Sequence, residues 1–93
     1  MSAGSEPVSV RILDREYTVG VGAEGREALM AAAKLLDGKM REIRGANRMA
    51  AVDRVAVLAA LNLAHELQQL RAQEAEIDRS LDALERRLDS IPG

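Results

Sequence analysis

LQQLRAQEAEIDRSLDALERRLDSI, residues 67–91, is the stretch on which the fold turns. Leu67, Leu70, Glu74, Ile77, Leu81, Leu84, Leu88 and Ile91 stand alternately three and four positions apart, so on a helix they share one stripe. Sustained over more than three heptads, that spacing predicts a coiled-coil seam, and a seam predicts partners. Glu74 is its single non-apolar member. A charge there disfavours tight two-stranded packing at its layer; it sets register or orientation, lies in a looser four-stranded arrangement, or snorkels outward. The spacing does not choose between parallel and antiparallel partners.

Followed backward, the seam continues through Leu63 and Ala60 into Val55–Leu61, which is apolar on every helical face. A helix with no bare polar side must be surrounded, here by the rest of the chain and by another subunit. No helix breaker stands between about Asn47 and Pro92, so one helix of roughly 40 residues is expected.

Upstream, the period changes from helical to two. Val8, Val10 and Ile12 alternate with Ser9 and Arg11, and Tyr17, Val19 and Val21 alternate with Thr18 and Gly20. This predicts two half-buried strands. With Asp14 and Arg15 as the loop, Ile12 faces Tyr17, Val10 faces Val19 and Val8 faces Val21. Between hairpin and long helix, Leu29, Ala32, Leu36, Met40 and Ile43 mark one stripe of a helix from about Glu24 to Arg44, which Gly45 is expected to stop.

The fold expected is therefore α+β, with an N-terminal β-hairpin and helix forming a head and a long C-terminal helix forming a coiled coil in a homo-oligomer. Residues 1–7 read as a disordered tail, 8–66 as the head and 67–93 as the stalk. A chain of 93 residues with one Tyr and no Phe or Trp has little from which to build a core alone, and self-association supplies more.

Composition narrows the function. Cysteine is absent and there is one His, His65, so neither disulfides nor a thiolate or multi-histidine metal site is available. The sequence contains no phosphate loop or nucleophile motif, and the reading is a non-enzymatic protein without cofactor. The N-terminus lacks the pattern of a secretory signal, and the longest apolar run is too short to cross a bilayer, so the expected location is cytoplasmic with no membrane partner. Lys39, Arg41, Arg44, Arg48 and Arg54 gather near the connection between the helices, where an acidic partner or nucleic-acid phosphates would fit; a solvated helix end explains part of the cluster without a ligand. No region is basic enough to point to nucleic acid by itself.

VSVRILDREYTV (residues 8–19) followed by DRVAVLAALNLAHEL (residues 53–67) resembles the ZapA family of bacterial division-ring proteins, and the resemblance extends over about residues 8–91. It implies head dimers joined through antiparallel stalks into a homotetramer, a dimer of dimers. It also implies a location at the midcell division ring, binding to the tubulin-like GTPase FtsZ, bundling of its protofilaments, and contact with other division-ring proteins. On that resemblance Arg15, Arg44, Arg48 and Asp53 are the candidate FtsZ-binding residues. Family members often carry Gly where Asp14 stands. The alternative class is a generic coiled-coil adaptor that binds an acidic partner or nucleic acid through the arginines.

Overall fold

The computed structural model describes residues 6–92, so most of the expected N-terminal tail lies outside the described residues; Glu6 and Pro7, assigned to that tail, open the first strand. In chain order the elements are β1 (Glu6–Ile12), β2 (Arg15–Val21), α1 (Arg26–Ala46) and α2 (Val52–Asp89). The fold is α+β as expected, an antiparallel hairpin followed by two helices. The chain divides into two compact units between Ala59 and Ala60.

The hairpin turns one residue earlier than the sequence pattern suggested. Val8 pairs with Val19, Val10 with Tyr17 and Ile12 with Arg15, so the two-residue loop is Leu13–Asp14 and not Asp14–Arg15. The apolar pattern does not separate these alternatives. A slip by one residue flips every side chain to the other face, whereas opposing each β1 residue to one two positions earlier in β2 keeps both apolar sets on one side. The choice is made at the turn. Leu13 and Asp14 have φ of 50° and 66°, the left-handed conformation that a two-residue hairpin loop of the favoured primed type requires. Asp tolerates it; for Leu it costs about 1–2 kcal/mol. Offsetting that cost, Leu13 is 5% exposed and buried in a cluster with Met40, Val55 and Ala59. In the register expected from sequence, Leu13 would point to the other side of the sheet.

A second cluster joins Val8 and Val10 to Ala33, with Val21 and Leu29 packed against it. Both clusters lie in the first unit. Helix α1 covers the β1 half of the hairpin's apolar face, where Val8 and Val10 are buried, and leaves Tyr17 and Val19 on β2 partly exposed.

Gly45 does not stop α1. The helix continues to Ala46 and is capped by Asn47, whose backbone N–H donates to the carbonyls of Ile43 (3.0 Å) and Arg44 (3.1 Å) and whose side-chain amide donates to Ile43 (3.1 Å). Asn at a helix end accepts a non-helical backbone and supplies its own donors, so it ends the helix more firmly than Gly45 two residues before it. Helix α2 then runs unbroken for 38 residues. Its first turns are anchored by Val55 and Ala59, both with no exposed surface.

Candidate interaction surface

The four charged candidates fall into two pairs. Arg15 is the first residue of β2 and lies opposite Ile12, on the strand face that carries Tyr17 and Val19. Asp53 is in the first turn of α2, and its Oδ1 accepts the N–H of Arg54 at 2.9 Å. Both line one open groove of about 580 Å³, whose walls are otherwise mostly apolar and include Tyr17, Val19, Leu36 and Ala56. The groove exists because α1 leaves β2 uncovered. Arg44 and Arg48 do not line it. Arg44 occupies the last turn of α1, where a cation favours the helix dipole, and Arg48 is exposed in the turn that follows.

That turn displays a residue the sequence reading passed over. Met49 is 99% exposed, beside Arg48. A Met among apolar neighbours reads as core, and only the course of the chain between Asn47 and Ala51 turns it outward. The arginine cluster is also smaller in effect than it looks in sequence. Arg41 donates from Nη2 to Asp14 Oδ1 at 2.9 Å and from Nε to Asp37 Oδ2 at 3.0 Å, so its charge is matched by two carboxylates. Those bonds, to Asp14 first and Asp37 second, hold its guanidinium even more firmly protonated than usual. Asp37 is held below the usual carboxylate range, chiefly by the Leu13 N–H that donates to its Oδ1 at 2.7 Å and then by Arg41.

The seam residues Leu63, Leu67, Leu70, Glu74, Ile77, Leu81, Leu84 and Leu88 all lie in α2, and Ile91 follows just past its end. Leu63 is half-buried; the large apolar members from Leu67 to Ile91 are 48–64% exposed in the single chain. Among the described residues no group of three His, Cys, Asp or Glu side chains is placed to hold a metal ion, and no helix is long and apolar enough to cross a membrane.

A charged and apolar surface on a hairpin head, together with a long helix whose leucine stripe is uncovered, defines a small association protein built to bury its surfaces against other chains. The family model for Cell division protein ZapA matches residues 8–91, and the chain belongs to that family. It is 49% identical over 63 residues to a ZapA of Pseudomonas aeruginosa, covering 68% of this chain and 61% of the relative's length. With a ZapA of Geobacillus the identity is 35% over 82 residues, covering 88% of this chain and 90% of the other. Among solved structures, an unknown conserved bacterial protein from Pseudomonas aeruginosa superimposes with a TM-score of 0.66 at 38% identity, over 94% of this chain and all of the other. A ZapA mutant dimer from Geobacillus stearothermophilus also gives 0.66, at 32% identity, over 88% of this chain and 95% of that one. The family is one of cell division proteins and is not a known enzyme family.

Proposed function

We propose that the chain is a non-catalytic cross-linker of FtsZ protofilaments that promotes assembly of the division ring at midcell in the cytoplasm. The observation that carries this reading is the uncovered seam on α2 in a chain of the ZapA family. Seven large apolar side chains at coiled-coil spacing cannot remain in water at no cost, since each fully buried aliphatic side chain contributes about 1.5–3 kcal/mol. Their burial joins homodimers, formed through the heads, into homotetramers. A homotetramer, whose two head pairs are held apart, engages neighbouring filaments at once, and a second contact made within one complex sees an effective concentration near the millimolar range. Weak head contacts then suffice for firm bundling.

The filament-facing residues in this reading are Arg15, Arg44, Arg48 and Asp53, with Met49 as an apolar contact among them. The apolar walls of the groove, Tyr17, Val19, Leu36 and Ala56 among them, are assigned to a second copy of the chain, in keeping with a dimeric structural relative. The charged side chains that line it, Arg15 and Asp53, are assigned to the filament. The nucleic-acid alternative is weakened because Arg41 is already matched by Asp14 and Asp37. Sedimentation of FtsZ with GTP, with and without this protein, tests the reading alongside light scattering. Bundled filaments and a tetrameric mass support it; filaments that pellet equally in both cases overturn it.

A further inference from the structure

Both residues of the hairpin loop are held from α1 by one pair of side chains four residues apart. Asp37 uses one carboxylate oxygen on the Leu13 N–H and the other on Arg41 Nε, and Arg41 reaches on to the Asp14 carboxylate. The loop held in this way has two successive non-glycine residues with positive φ. Backbone strain of that kind persists only where surrounding contacts over-determine it, and it gathers at functional sites. The following residue is Arg15.

We propose that Asp37 and Arg41 are positioning residues that clamp the Leu13–Asp14 turn and thereby fix the aim of Arg15 toward FtsZ. The inference rests on the filament-binding role given to Arg15 above. Its physical basis is the ambiguity of the hairpin. Two registers keep the same apolar residues on the same face, so burial of that pattern alone specifies the hairpin weakly. In the observed register Arg15 is a strand residue opposite Ile12, whereas in the alternative it belongs to the loop. The clamp selects between them, since it needs the Leu13 N–H turned toward α1 and Asp14 beside Arg41. Leu13 burial acts in the same direction, but it pins only one loop residue; the carboxylate–guanidinium pair pins both.

The test measures co-sedimentation with GTP-assembled FtsZ, and hydrogen exchange at the Leu13 amide, for Asp37→Ala, Arg41→Ala, Arg15→Ala and two double variants. Asp37→Ala and Arg41→Ala are expected to weaken FtsZ binding about tenfold and to speed exchange at Leu13, with oligomer mass unchanged. Adding Asp14→Gly to Arg41→Ala is expected to restore binding to within about twofold, because glycine adopts the left-handed conformation freely. Adding Asp37→Ala to Arg15→Ala should weaken binding no further. Failure of Asp14→Gly to rescue would mean that Arg41 touches the filament itself, and additive losses at positions 15 and 37 would mean that Asp37 acts elsewhere; either overturns the clamp. Normal binding by Asp37→Ala with weakened binding by Arg15→Ala also overturns it while leaving the site intact. Normal binding by Arg15→Ala overturns the filament-binding role of Arg15 and the clamp with it.

Discussion

At position 13 two effects oppose each other, and their sizes decide the outcome of a substitution. Leucine there is strained by a φ of 50° yet 5% exposed in the core. Removing the side chain costs about 2–5 kcal/mol in a packed site, whereas relieving the left-handed strain returns about 1–2 kcal/mol. Leu13→Gly is therefore expected to destabilise, but by roughly 1 kcal/mol less than Leu13→Ala, which loses the packing and keeps the strain. Denaturant unfolding at a fixed protein concentration checks the order; a more stable Leu13→Ala would show that strain is not felt at this position. Asp37 gives a pH prediction from the same turn. Its folded-state pKa is depressed by the Leu13 N–H and then by Arg41, so its contribution is present above the unfolded-state value and is lost as pH falls through the folded one. Stability is expected to drop from about pH 4 downward, with Asp37→Asn lacking that part of the slope. Equal acid profiles for wild type and variant would remove Asp37 from the account.

Among the elements, the helices and strands were legible and the connections were not. The three-four spacing from Leu29 to Ile43 and from Leu67 to Ile91 is a long signal in which each residue repeats the message of the last. A turn has two residues and no repetition. The hairpin loop was therefore misplaced by one position, and α1 was ended at Gly45 when Asn47 caps it. The candidate site shared this limit: Arg15, Arg44, Arg48 and Asp53 were nameable from family likeness, but the Asp37–Arg41 link to the turn spans more than twenty residues of sequence and has no periodic trace. Glycine inside α1 provides a test at this scale. A Cβ added at Gly38 meets nothing within 4 Å, so Gly38→Ala should stabilise the head by about 0.5–1 kcal/mol through helix propensity alone. A loss of stability instead would reveal that a second subunit covers that face of α1, which concentration dependence of the unfolding midpoint would confirm.

For the whole molecule, the two units expose two apolar surfaces, and they respond differently to damage. The groove beside Tyr17 and Val19 belongs to the first unit, while Ile77 and Leu81 lie in the second, near the middle of the seam. If the groove joins heads into dimers and the seam joins those dimers, a charge at Ile77 or Leu81 should separate tetramers without separating head pairs. The stripe already carries one carboxylate, Glu74, and Ile77→Asp would place a second one a single helical turn away, repelling the first. An uncompensated charge in a closed interface costs roughly 3 kcal/mol or more, which raises the concentration needed for assembly by at least about a hundredfold. Light scattering over a concentration series is expected to give a dimeric mass for Ile77→Asp and for Leu81→Asp where the wild type is tetrameric. FtsZ should still bind these dimers, yet bundling should fall sharply, because the heads that remain together no longer reach two filaments. A tetrameric mass for both variants would mean that the leucine stripe is not the assembling surface, and bundling by a proven dimer would move the bridging function from the seam to the head.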